Sequence, residues 1–172
     1  MTRGDHGDKL PLPRQVAVAV AFRITGDQSD IVQYLLVSSR KHANSWVLPK
    51  GGIEGEFELS NPGLCALREA WEEGGIKGRV VYPLVPLHKS VDPKSHRDAR
   101  KSGTFVPKAT YSFWLIKVTT EEAHGWPEEK ERERRWVGKQ EAIELVEWRN
   151  DGAVEALAKV KEQDLLIAAP TG

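Results

Sequence analysis

Residues 48–78 read LPKGGIEGEFELSNPGLCALREAWEEGGIKG. The stretch opens on Lys50-Gly51-Gly52, ends on Gly74-Gly75, and sets Glu69, Glu72 and Glu73 within five positions. Asn61 suits the N-cap of a helix and Pro62 its first position, where a missing N–H costs nothing. The glycine pair supplies the stop. At about 100° per residue, Leu64, Leu67 and Trp71 share one narrow stripe, while the three carboxylates share an arc of about 100° elsewhere. The pattern predicts a helix that packs by one side and presents carboxylates on another. Like charges at this spacing repel by about 0.2–0.5 kcal/mol per pair, so gathering them needs a reason. A solvated acidic face is the plain one. The sharper one is a hard-oxygen site for Mg2+ or Mn2+, which takes one or two carboxylates and completes its shell with water and phosphate. A glycine turn just ahead of the helix lets backbone approach a phosphate closely.

Working outward, residues 15–23 alternate Val16, Val18, Val20 and Phe22 with Ala17, Ala19 and Ala21. Period-2 patterning with a large and a small face predicts a strand buried on both sides. Residues 31–38 predict a second strand, and WVLP (46–49) a short one that delivers the chain into the glycine turn. Beyond the helix, 79–89 and 109–118 read as strands, joined by a long loop, VDPKSHRDARKSGTFVPK (91–108). A loop of that length in a compact domain is more often functional than incidental. KQEAIELVEWRN and GAVEALAKVKEQDLL carry helical patterns. This order predicts an α/β layered domain with a mixed sheet.

The chain's 172 residues suit one domain, expected over 14–170 behind a polar, proline-punctuated arm at 1–13. Its 25 basic and 25 acidic side chains balance, so a polyanion has to meet a local basic patch rather than a positive surface. The single cysteine, Cys65, excludes an internal disulfide framework and fits a reducing compartment. No stretch has the apolar length of a signal peptide or a membrane span. The expectation is a soluble cytoplasmic protein, open to the nucleus as well, monomeric, with no membrane or stable nucleic-acid partner. His42, His88, His96 and His124 have no metal-ligand spacing and read as structural. Trp46, Trp71, Trp114 and Trp136 read as core rather than as a base-stacking platform.

The offsets within 48–78 resemble the Nudix hydrolase signature, G-x5-E-x7-R-E-U-x-E-E-x-G-U, with U a bulky apolar residue. Gly52 and Glu58 match its first spacing; Arg68, Glu69, Ala70, Glu72, Glu73, Gly75 and Ile76 match its second half. Nine residues stand between Glu58 and Arg68 instead of seven, which places a two-residue insertion in the loop before the helix. Ala70 is small for its slot. The resemblance implies a Nudix-type α/β/α sandwich with a catalytic loop-helix-loop. It implies Glu69 and Glu73 as ligands to Mg2+ (or Mn2+) and Glu72 as the base that activates water. Arg68 would orient the carboxylates, and Glu58 would support them or join the metal shell.

YLLVSSRKHANSWVLPKGGIEG, TYSFWLIKV and ERERRWVGKQEAIELV are further similar to diphosphoinositol polyphosphate phosphohydrolases, fungal members especially. A polyphosphorylated small-molecule substrate needs several cations in one mouth. The candidates are Arg14, Ser39, Arg40, Lys41, Lys50, Gly51, Gly52, Lys108, Arg134 and Arg149, with Arg97, Arg100, Lys101 and Arg135 behind them. The reading is metal-dependent hydrolysis of diphosphoinositol polyphosphates, with dinucleoside polyphosphates such as diadenosine hexaphosphate, and inorganic polyphosphate, also within reach. A Nudix enzyme for nucleotide sugars or RNA caps would need a stacking pocket. A non-catalytic inositol phosphate sensor would be expected to lose box carboxylates, and all three are here.

Overall fold

The computed structural model describes residues 12–26, 31–84, 88–89 and 107–167; all but the last two residues of the expected arm at 1–13, and Arg97, Arg100 and Lys101, lie outside them. The described residues form, in chain order, β1 (Arg14–Thr25), β2 (Ile31–Ser38), β3 (Trp46–Val47), β4 (Lys50–Gly52), α1 (Gly55–Ser60), α2 (Pro62–Gly74), β5 (Ile76–Pro83), β6 (His88–Lys89), β7 (Ala109–Glu121), β8 (Arg134–Val137), α3 (Lys139–Val146), α4 (Ala153–Lys159) and α5 (Glu162–Ile167). The sheet runs β3-β2-β1-β7-β5, with β4 added to β1, β6 to β7 and β8 to β2. β1 and β7 are parallel, from Arg14 opposite Ala109 to Phe22 opposite Lys117. The other pairs are antiparallel, so the sheet is mixed.

The alternation in β1 sorts the two layers. Val16, Val18, Val20 and Phe22 pack with Ala142, Val146, Ala156 and Leu157 from α3 and α4. Each such large side chain contributes about 1.5–3 kcal/mol when fully buried, so most of the burial energy lies on this side. Ala17, Ala19 and Ala21 meet Cys65, Ala66 and Ala70 of α2 on the other side. Small residues on both partners let helix and sheet approach closely.

That face corrects the expected stripe on α2. Leu64 is 36% exposed and Trp71 is only half-buried; of the three, Leu67 alone, itself half-buried, packs against the Ala17, Ala19 and Ala21 side. The packing side is made of Gly63, Ala66, Ala70 and Gly74, at the same helical period but in small residues. A methyl on Gly74 would come within 2.6 Å of Leu35 Cδ2. Glu69 and Glu73 flank this buried side and are themselves buried, at 8% and 4% exposure. The carboxylates therefore do not sit opposite the packing face; two of the three belong to its edge.

The inserted pair lies in structured chain, not in a loop. Gly55–Ser60 forms α1, closed when the Asn61 N–H donates to the carbonyls of Phe57 and Glu58 at 3.1 Å. Asn61 does start α2, but its side-chain Nδ2 turns back to Phe57 O at 3.3 Å instead of capping. Pro62 takes the first turn, and Gly75 ends the helix at φ 66°. The expected glycine turn is the strand β4, paired with Val16–Val18 of β1. The last helical pattern breaks at Val160 into α4 and α5.

Candidate active site

The three carboxylates of α2 meet three different surroundings, and Arg68 sets two of them. Its Nε and Nη2 donate to the two oxygens of Glu58, both at 2.9 Å. Nη1 donates to Glu69 Oε1 at 2.9 Å and Glu72 Oε2 at 3.1 Å, and Nη2 also reaches the Gly52 carbonyl at 3.1 Å. Every arm of the guanidinium fork is engaged. These bonds hold the Glu58 carboxyl below the usual range and raise the guanidinium further above its own.

Glu69 rests against β4. A Cβ on Gly51 would fall 2.0 Å from Glu69 Oε1, so position 51 admits no side chain while the carboxylate stays in place. Burial raises Glu69. Glu73 lies deeper, with Oε1 accepting from Arg132 Nη2 at 3.2 Å and Oε2 from the Lys50 amide at 3.4 Å. Burial outweighs Arg132 and pushes this carboxyl up to about 8. Lys50 is lowered by the same burial and then by Arg149.

A cleft of about 630 Å³ opens over these groups. Of the expected substrate-binding residues, Arg14, Ser39, Arg40, Lys41, Lys50, Gly51, Gly52 and Arg149 line it, as do Glu69 and Glu73. Glu58, Arg68 and Glu72 stand behind or beside the lining. Glu72 is 35% exposed at its side chain, while both Glu58 oxygens face Arg68. Lys108 is exposed just ahead of β7 and Arg134 is held against Trp126; neither lines the cleft.

The cleft also holds residues that the sequence reading did not name. Arg132 joins Glu73 to Glu128, at 3.2 Å each, and donates to Ser38 O at 2.9 Å. Glu128 pairs in turn with Arg40 at 2.7 Å. Tyr111 adds a half-buried ring. Arg149 is pointed by the buried Asp151, whose Oδ2 accepts from Nε at 2.8 Å while Oδ1 accepts from the Ala153 N–H at the start of α4. Alternation along β8 was a usable signal. Trp136 packs on the α2 side and Val137 on the opposite one, which puts Arg134 on the α2 side and Arg135 away from it; Arg132 lies ahead of the strand and is placed by its bond to Glu73.

Among the described residues no three Asp, Glu, His or Cys side chains converge as a ready-made metal cage. Two buried carboxylates facing an open cleft still fit Mg2+, a small hard cation that keeps several waters and substrate oxygens in its shell. They would not fit a fully caged structural ion.

The comparisons with known proteins agree with this geometry. The NUDIX domain model matches residues 13–158. Human diphosphoinositol polyphosphate phosphohydrolase 3-alpha is 33% identical over 147 residues, covering 84% of this chain and 76% of that one. Nudix hydrolase 4 of Arabidopsis thaliana is 31% identical over 154 residues, covering 86% and 67%. The fold is shared with a C. elegans Ap4A hydrolase in a binary complex, at a TM-score of 0.55 and 17% identity over 91% of this chain and 99% of that one. With the signature helix, its arginine hub and two carboxylates set into a cationic cleft, the chain belongs to the Nudix hydrolases, enzymes that cleave diphosphate linkages in small molecules with the help of a divalent cation.

Proposed function

We propose that this enzyme removes the diphosphate group from diphosphoinositol polyphosphates, and that dinucleoside polyphosphates and inorganic polyphosphate also enter the same cleft. One observation carries the reading: Arg14, Arg40, Lys41, Lys50, Arg132 and Arg149 all line the cavity that holds Glu69 and Glu73. A ligand bearing many phosphates makes charge-assisted bonds to such a lining, each roughly twice as strong as a neutral one. Among the described residues that line the cleft, Tyr111 is the one aromatic ring for a nucleobase to stack on. The human relative carries the same substrate class in its name.

In this reading Glu69 and Glu73 hold the divalent cation, Glu72 takes the proton from the attacking water, and Arg68 fixes Glu69 and Glu72 through one nitrogen. Glu58 holds Arg68. Bound there, the cation supplies neutralisation of phosphate charge and an acidified water. Ser39, Lys41, Lys50 and the Gly51-Gly52 backbone receive phosphate oxygens, with Arg14 and Arg149 at either side.

The substrate test is a comparison of kcat/KM on one enzyme preparation. Diphosphoinositol pentakisphosphate should exceed ADP-ribose and capped RNA by at least about tenfold, the equivalent of roughly 1.4 kcal/mol in transition-state binding. A preference for ADP-ribose or the cap would remove the inositol reading.

Metal binding gives a second prediction. Burial favours the protonated form of the Glu73 carboxyl, whereas a ligand carboxylate must be ionised. The bound cation therefore displaces a proton at neutral pH. Mg2+ affinity should rise by up to about tenfold per pH unit between pH 6 and 8 and then level off. Calorimetric titration in two buffers of different ionisation enthalpy measures the released proton; buffer-independent heats at pH 7 would contradict the assignment of Glu73.

A further inference from the structure

An α-helix leaves its last four carbonyls without internal partners. In α2 those carbonyls belong to Trp71, Glu72, Glu73 and Gly74, so the open end of the helix is also the end that carries the chemistry. Trp71 O receives the Gly75 N–H of the left-handed stop. Further bonds to this end of the helix come from one distant segment, the end of β7 through β8. Glu72 O accepts the Glu128 N–H at 2.9 Å, Gly75 O accepts the Glu122 N–H at 2.9 Å, and Gly74 O accepts Arg134 Nη1 at 3.1 Å.

Two side chains hold that segment down. The Trp126 ring, 8% exposed, lies directly over Gly75, where a Cβ would come within 2.5 Å of it. Its buried Nε1 has no hydrogen-bond partner among the described residues, and the ring is placed by its packing over Gly75. Arg134 covers the ring, its guanidinium carbon 4.3 Å from the centroid, and pairs with Glu121 at 3.4 Å. Stacked, ion-paired and bonded to a carbonyl, this arginine is turned into the protein. The same segment delivers Glu128 and Arg132 into the cleft, and Arg132 bonds Glu73. A shift of the segment would move the Glu72 backbone, the Glu73 carboxylate and Glu128 together.

We propose that Trp126 and Arg134 form a clamp on the C-terminal end of α2 that fixes Glu72 and Glu73 relative to the cleft. Both are positioning residues; Arg134 does not contact substrate. The inference rests on Glu72 and Glu73 being the chemical groups named above, and that reading has its own test in Glu72→Gln.

The clamp is tested with Arg134→Ala, Arg134→Lys and Trp126→Phe in the full chain, measuring kcat and KM on diphosphoinositol pentakisphosphate and amide hydrogen exchange without substrate or metal. Arg134→Ala should lower kcat about ten- to a hundredfold, the scale of a displacement near 1 Å, with KM changed less than about twofold. The Glu128 and Glu122 amides should exchange at least about tenfold faster, since the bonds they make across the clamp, to Glu72 O and Gly75 O, open more often. Arg134→Lys keeps charge without the flat fork and should fall between wild type and Ala in both readouts. Trp126→Phe keeps a ring over Gly75 and should stay near wild type.

A KM that rises with the number of substrate phosphates while kcat holds would make Arg134 a substrate contact and overturn the proposal. So would a fall in kcat with unchanged exchange at Glu128 and Glu122. If Arg134→Ala does not fold, Arg134→Lys decides: wild-type kcat and exchange in that variant reject the clamp. The exchange readout does not depend on which carboxylate is the base, so failure of the Glu72 assignment and failure of the clamp give different results.

Discussion

Glu72→Gln should fold normally and bind substrate while its kcat falls by about 10²–10⁴-fold, the usual span for loss of a general base. The amide keeps the shape of the side chain and an oxygen for Arg68 Nη1, which now donates to Glu72 Oε2 at 3.1 Å. The arginine hub therefore survives, and KM should move little. Glu72 is the helix carboxylate suited to proton transfer, because it is not sunk in the fold. Its side chain is 35% exposed, against 10% for Glu69 and 5% for Glu73, so water reaches it. Glu128→Gln belongs in the same experiment, since Glu128 lines the cleft and lies in the segment whose amide bonds Glu72 O. Full activity in Glu72→Gln with the loss appearing in Glu128→Gln would transfer the base to Glu128.

The layered fold and the existence of the site were legible in the sequence, because both rest on local pattern. Alternation of Val and Ala in β1 told which strand would be buried on both faces. Pro62 and Gly75 told where α2 begins and ends. Which face of α2 packs was misjudged for a physical reason. Period alone does not distinguish a stripe of Leu64, Leu67 and Trp71 from one of Gly63, Ala66, Ala70 and Gly74. Hydrophobicity favours the first, but against the alanine face of β1 it is the second that is buried, with Leu67 alone of the first packing beside it. Small residues opposite small residues were the available clue, visible only once the two elements were known to touch.

Much of the cleft's electrostatics could not be read that way. Arg132 meets Glu73 across 59 positions and Ser38 across 94, and Arg40 meets Glu128 across 88. Such pairs depend on β8 lying beside β2 and on the β7–β8 connection folding back over the end of α2. No local spacing encodes either. Arg134 shows the opposite error. As a cation near the C-terminus it resembled a phosphate contact, and the ring and carbonyl that occupy it become apparent only in three dimensions.

The second large effect belongs to Arg68. Arg68→Met should destabilise the fold by about 3 kcal/mol at pH 7 and reduce kcat at least about a hundredfold. Three carboxylates, Glu58, Glu69 and Glu72, lose the cation that holds them. The stability figure is the lower end of the range for breaking a buried pair, since Arg68 keeps 23% of its side chain exposed. Lysine should not rescue the loss, because an ammonium cannot make two parallel bonds to Glu58 and still reach Glu69. The pH dependence identifies the cause. Glu58 has a depressed pKa in the folded state. Its stabilisation is therefore present above the ordinary carboxylate value and disappears as pH falls through the folded one. The gap in unfolding free energy between wild type and Arg68→Met should accordingly narrow as pH drops from 7 toward about 3, where the carboxylates take up protons. Urea titrations at the two pH values measure that gap. An equal gap at both would mean that Arg68 supports the site by packing its stem, and that the charge network is not what orders the carboxylates.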